Sequence, residues 1–86
     1  MNYFVYIALC NDSTYYIGYT NNLEKRFENH NLKKGAKYTR GRTPIVLKYF
    51  ECFETLSDAL KREYQLKKLT RKEKHKLVKI FDTIKK

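Results

Sequence analysis

Two phenols, a guanidinium, an imidazole and a carboxylate stand out in this chain as groups able to handle a phosphate: Tyr6, Tyr16, Arg26, His30 and Glu63. In the stretch VYIALCNDSTYYIGYT, residues 5–20, two apolar runs carry Tyr6 and Tyr16 on either side of a polar turn. If that turn centres on Asn11 or Asp12, as a three- or five-residue loop allows, both phenols leave the same face of a hairpin, opposite or diagonal to one another. A one-residue slip in pairing would separate them. Gly18 falls two positions beyond Tyr16, on its face, and leaves a gap where a bulky group such as a phosphate can approach the backbone. Tyrosine is also a good strand residue, so the hairpin alone does not decide between packing and chemistry.

The helices narrow the choice. At about 100° per residue, Leu23, Arg26, Phe27 and His30 share one face of the helix expected after the hairpin. A half-buried arginine needs an anion; Glu24 and Glu28 lie toward other faces, and bidentate capture of a phosphate suits a guanidinium best. His30 taken alone reads as an ordinary core or surface histidine. In the second helix Leu56, Ala59, Leu60, Tyr64 and Leu66 project as one apolar arc, with Glu63 close to its middle. An unpaired carboxylate so placed costs on the order of several kcal/mol, which leaves two readings. One is a salt bridge to Arg26; the other is a ligand for a hard divalent cation whose shell is completed by water.

These side chains must be positioned by a small fold. The chain has 86 residues, enough for one domain, and a domain of that size buries only about 60 to 65% of the surface its unfolded chain exposes. Residues 3–9 and 14–20 read as strands around the turn CNDS. Asn21 with Glu24 resembles a capping box that starts a helix at about residue 22 and runs to about residue 32. KKGAKYTRGRTP, with two glycines, a proline and five basic residues, is a loop. IVLKYFECFE is a third strand. Thr55 with Asp58, and Thr70 with Glu73, begin two further helices. The order β-β-α-β-α-α predicts an α+β domain, a small three-stranded sheet with helices packed on it.

Charge points to the partner. The formal net charge is +10, from 19 Lys and Arg against 9 acids. Eleven of those 19 lie from Lys61 onward, a concentration that favours a face for a polyanion over an evenly solvated basic surface. YFVYIAL is too short to span a bilayer and lacks a basic leader, so a cytoplasmic protein is expected. Cys10 and Cys52 form no CxxC pair. With His30 and His75 they make no usual zinc spacing, and both are expected to be reduced, buried and structural.

Together FVY (Phe4 to Tyr6), YIG (Tyr16 to Gly18), NNLEKRFENHN and SDALKREYQLKKLTRKEK resemble the GIY-YIG nuclease family across nearly the whole chain. The resemblance is strongest to small stand-alone bacterial members, which carry a loop like KGAKYTRGRTP. It implies that Tyr6 and Tyr16 are the paired active-site tyrosines, Arg26 the phosphate-binding arginine, His30 the helix histidine of many members and Glu63 the single metal ligand, for Mg or Mn. The activity it implies is metal-dependent hydrolysis of DNA phosphodiester bonds. Phe4 replaces the glycine of the first motif, and the Asn that many members carry after the metal-binding Glu falls near His75 here.

The expected chemistry has Tyr6 as base. An ordinary phenol with a pKa near 10 is only about 0.1% ionised at neutral pH, so nearby cationic charge from Arg26 or the lysines is expected to lower it and His30 to accept or relay its proton. Glu63 holds the metal, while Arg26 and Tyr16 clamp the phosphoryl oxygens. Gly18, Lys33, Lys34, Lys37, Tyr38, Arg40, Arg42, Lys67 and Arg71 are the expected nucleic-acid contacts. Contacts to the backbone position without reading bases. Little sequence specificity is therefore expected, with a preference for junctions, flaps or ends, branched and single-stranded DNA among the substrates, and a link to repair or recombination. A monomer that relies on a targeting protein partner fits a domain with no recognition appendage. Two rivals share the charge: a nucleic-acid-binding module on the same scaffold without turnover, and a structural protein docked on RNA or a ribosomal surface.

Overall fold

A computed structural model of the chain describes residues 2–31 and 44–85, with the side chains of His30, Asn31 and Lys85 outside the described part. Strands β1 (Tyr3–Leu9), β2 (Tyr15–Thr20) and β3 (Val46–Phe53) and helices α1 (Leu23–Asn31), α2 (Leu56–Lys67) and α3 (Arg71–Lys85) follow in the expected order β-β-α-β-α-α. The loop candidates Lys33, Lys34, Lys37, Tyr38, Arg40 and Arg42 lie outside the described residues.

The turn sets the register. The Cys10 amide donates to the Thr14 carbonyl at 2.8 Å, and the Ser13 amide to the Cys10 carbonyl at 3.0 Å. Ser13 takes the left-handed conformation at φ 68°. A three-residue loop closed by a left-handed residue matches the right-handed twist of the strands it joins. Asp12 supports it by accepting from the Thr14 amide at 3.2 Å and the Thr14 hydroxyl at 2.6 Å. With the loop centred on Asp12, Ala8 stands opposite Tyr16 and Tyr6 opposite Gly18. Tyr6 and Tyr16 are diagonal neighbours on one face.

The sheet order is β2-β1-β3 with both pairings antiparallel. A register shift between Ile7 and Ala8 moves the β3 partner from Tyr49 to Leu47. β1 is covered on both faces, and Val5, Tyr6, Ile7 and Ala8 are each 0% exposed. Strand alternation sends them to different layers. Val5 and Ile7 pack with Ile17, Ala59, Leu66 and Val78 beneath α2 and α3. Tyr6, Ala8 and Cys10 pack with Ile45 and with half-buried Tyr16, Leu23, Phe27, Leu47 and Phe50 on the α1 side.

Three expectations change. The cap of α1 is Asn22, whose Oδ1 accepts from the Lys25 amide at 3.0 Å, rather than Asn21. Cys10 is buried but Cys52, on the edge strand β3, is exposed, and neither is in a disulfide. In α2 the buried centre is Ala59 and Leu66, whereas Leu56, Leu60 and Tyr64 are exposed. Glu63 therefore lies at the edge of the buried face instead of at its middle. The other two caps form as expected: Thr55 accepts from the Asp58 amide at 3.2 Å, and Thr70 and Glu73 bond reciprocally at 2.9 and 3.2 Å.

Candidate active site

Gly18 is required by Tyr6. A Cβ built on Gly18 would stand 2.6 Å from the Tyr6 hydroxyl oxygen, 2.9 Å from Cζ and 3.2 Å from Cε2 of Tyr16. The gap expected to admit a phosphate is thus filled from within by the opposite tyrosine. Tyr6 is wedged between Phe27, with ring centroids 5.0 Å apart, and Tyr16 at 6.3 Å. Its hydroxyl accepts from Arg26 Nε at 3.3 Å, and Tyr16 hydrogen-bonds the same guanidinium. α1 therefore delivers Arg26 to the paired phenols, as its shared face with Leu23 and Phe27 predicts.

Burial decides the protonation of Tyr6. Loss of water raises its pKa above the ordinary phenol value; the Arg26 hydrogen bond and charge pull it back without cancelling the rise, and negative charge on Tyr16 and Glu63 adds to it. The lowered phenol expected for a base at Tyr6 is not found. A neutral, enclosed hydroxyl is what the packing produces. Arg26 in turn is raised, chiefly by its bond to Tyr6, and carries its charge at every physiological pH.

An open, polar cleft of about 410 Å³ lies beside these groups. Tyr16, Gly18 and Arg26 line it together with Leu56 and Glu63 of α2, and Tyr3, Tyr19, Thr20 and Asn21 complete the lining. Tyr16 and Tyr19 belong to opposite faces of β2 by alternation, so the cleft passes round the exposed edge of that strand. The structure brings Tyr16, Gly18, Arg26 and Glu63 together in one hollow, with Tyr6 directly beneath. His30 belongs to α1, but its side chain is outside the described part.

Glu63 is mostly enclosed, its side chain 16% exposed, and its ion partner is Lys67 one turn on at 3.7 Å. That pairing replaces the Arg26 salt bridge weighed from the sequence. Among the described residues, no group of three or more His, Cys, Asp or Glu comes together. One carboxylate amid hydroxyl and amide oxygens fits Mg²⁺ or Mn²⁺, which keep several waters and share phosphate oxygens; it does not fit a closed zinc site.

Lys67 reaches the Glu63 carboxylate of this cleft, but Arg71 sits elsewhere: its guanidinium lies 4.9 Å from the centre of the Tyr15 ring, on the α2 and α3 side. His75 Nδ1 meets the Tyr15 hydroxyl at 2.9 Å, so the position near the family's later Asn ties α3 to β2 instead of lining the cleft. Sequence reasoning missed Tyr3, Tyr19 and Asn21 as lining residues, since a cleft that wraps a strand edge recruits both alternation sets. It also missed a clamp. Arg62 Nε donates to both oxygens of Glu51 at 3.1 and 3.0 Å, Arg62 Nη1 bonds Gln65 Oε1 at 3.1 Å, and the Tyr49 hydroxyl donates to Glu51. Arg62 and Glu63 are about 100° apart around α2, so one fastens the helix to β3 while the other turns toward β2.

Residues 2–76 match the GIY-YIG catalytic domain. A UPF0213 protein of Clostridium perfringens is 58% identical over 78 residues, 91% of this chain and 83% of that protein. A UPF0213 protein of the archaeal Haloquadratum walsbyi is 52% identical over 75 residues, 87% of this chain and 84% of that protein. The solution structure of the UPF0213 protein of Bacillus halodurans superposes with a TM-score of 0.60 at 42% identity, over 93% of this chain and 85% of that one. The solution structure of a protein from E. faecalis gives 0.64 at 42% identity, over 96% and 88%.

Proposed function

The chain belongs to the GIY-YIG nuclease family, and from that premise we propose that it is a metal-dependent endonuclease that hydrolyses DNA phosphodiester bonds with little sequence specificity. The observation that carries this reading is the shared cleft: a guanidinium, an open phenol and an enclosed carboxylate line one polar hollow at a sheet edge. No helix among the described residues is long and apolar enough to cross a membrane, and the charge of +10 favours a polyanion.

In the proposed mechanism Arg26, held through Nε by Tyr6, presents its outer nitrogens to non-bridging oxygens of the scissile phosphate. Tyr16 lines the cleft whereas Tyr6 is fully enclosed. We therefore assign Tyr16 as the side chain that meets the attacking water, its ionised phenolate form taking the water's proton and becoming the neutral phenol, and Tyr6 as a positioning residue for Arg26 and, through Gly18, for β2. Glu63 would hold Mg²⁺ or Mn²⁺; when bound, the ion supplies Lewis-acid stabilisation of charge on the phosphoryl and leaving oxygens. Lys67, which neutralises Glu63 in the described state, is free to move to a flanking phosphate once that carboxylate is occupied. Contacts of this type grip the backbone and leave bases unread. A link to repair or recombination follows if branched DNA is preferred.

The test is cleavage of a panel of duplex, branched and single-stranded DNA with Mg²⁺ or Mn²⁺, comparing the native chain with Glu63→Gln. Metal-dependent cutting lost in the variant supports the reading; cutting that survives the substitution contradicts it. The full burial of Tyr6 favours one second reading, a module that binds DNA without turnover, and binding without cleavage under either metal would establish it.

A further inference from the structure

α2 leaves an unusual row of side chains in water. Leu56 and Leu60 are each 39% exposed and Tyr64 63% exposed, at four-residue steps on one flank of the helix. Around the helix they follow directly from the Glu63 edge, because successive members advance by only about 40°. Leu56 itself lines the cleft, and across from it Tyr19, 40% exposed, lines the cleft too. An apolar and aromatic track thus begins in the hollow and runs outward along α2.

Cations accompany the track. The Lys68 ammonium lies 4.2 Å from the centre of the Tyr64 ring, covering one face of it, and Lys67, with 56% of its side chain exposed, borders the row beside Glu63. Rings and alkyl groups open to solvent, edged by ammonium groups and continuous with a phosphate-sized hollow, are the two ingredients of a surface for unpaired nucleotides: bases stack on the apolar strip while phosphates pair with the lysines. A duplex keeps its bases stacked inside and has no use for such a strip. A protein partner would be served by the apolar row but not by a lysine poised over its outermost ring.

We infer that the Tyr19–Leu56–Leu60–Tyr64 surface binds an unpaired DNA strand leading to or from the cleft, with Tyr19 and Tyr64 as base-stacking rings and Lys67 and Lys68 as phosphate contacts. This rests on the nuclease reading and specifies its substrate: DNA that is single-stranded on at least one side of the cut.

The experiment measures binding by fluorescence anisotropy in EDTA, where turnover does not intervene, using one labelled mixed-sequence oligodeoxynucleotide single-stranded, as a blunt duplex and as an abasic strand of equal length. The native chain should prefer the single strand to both others. Tyr64→Ala should weaken single-strand binding by about 5-fold or more, the low end of loss of one stacked base, leave the duplex within about twofold by the same reasoning, and recover with Tyr64→Phe, which keeps the ring. Tyr19→Ala should act in the same direction. Equal affinity for strand and duplex, or single-strand affinity unmoved by both alanine variants, would overturn the inference even if the protein cuts DNA. A dimer broken by Tyr64→Ala would overturn it as well, by assigning the row to a second copy. Ring-dependent strand binding without any metal-dependent cleavage would uphold this surface and defeat the nuclease reading alone.

Discussion

At the residue scale the site depends on a small void used by a large ring. Gly18 has no side chain, so the Tyr6 hydroxyl can pass over β2 and hold Arg26. Gly18→Ala puts a methyl group 2.6 Å from that oxygen and should cost about 1 to 3 kcal/mol as an overpacking change. Thermal unfolding measures it. Combined with Tyr6→Phe, the cost should be less than the sum of the two single changes, because the clashing oxygen has gone; strict additivity would mean the two positions do not touch. The phenols should differ in kinetics. If Tyr16 meets the attacking water, Tyr16→Phe should abolish cleavage. Tyr6→Phe should only reduce the rate, by loosening Arg26. The opposite assignment would restore Tyr6 as the base despite the upward push of burial on its phenol.

At the element scale α2 is held on one side by Arg62 and lines the cleft on the other through Leu56 and Glu63. The Arg62–Glu51 bond spans to β3, and Arg62→Met should cost about 1 to 3 kcal/mol because it strands a half-buried carboxylate that Tyr49 alone then satisfies. Denaturant unfolding of Arg62→Met and of the double variant with Glu51→Gln separates the two: the double should recover part of the loss. The hairpin, the order of elements and two of three caps were legible in the sequence because each is local: turn chemistry, alternation and Thr-x-x-acid spacing act within a few residues. The centre of the α2 buried face was not. A helical wheel counts Leu56, Leu60 and Tyr64 as core, whereas α2 overhangs the edge of a three-stranded sheet that cannot cover them all. Nor was the Arg62–Glu51 clamp, which depends on the β1–β3 register and the bulge beside Ile7. Tyr6, Tyr16, Arg26 and Glu63 were legible by type and by family resemblance, but which phenol faces solvent is decided by packing against Phe27, a tertiary fact.

At the scale of the whole molecule, charge and titration give bulk tests. If about five phosphates are neutralised on duplex DNA, the logarithmic salt slope of binding should be roughly −4 to −5, and a slope near zero would contradict a backbone-gripping surface. Stability should fall in alkali. Tyr49 is pushed up to about 12 by burial and by its bond to Glu51, and Tyr6 is raised by burial. A folded-state pKa above the unfolded one contributes stability that is complete below about pH 10 and is lost as pH climbs toward the folded value, so the midpoint of unfolding should drop between about pH 10 and 12. The proposed nuclease site requires groups from β2, α1 and α2 to meet around one ion. The most direct measurement is Mn²⁺ titration followed by NMR of the native chain and of Glu63→Gln. The ring signals of Tyr16 and Tyr19 and the Gly18 amide should broaden first, and the effect should vanish in the variant. Broadening centred near Glu51, or unchanged by the substitution, would contradict it.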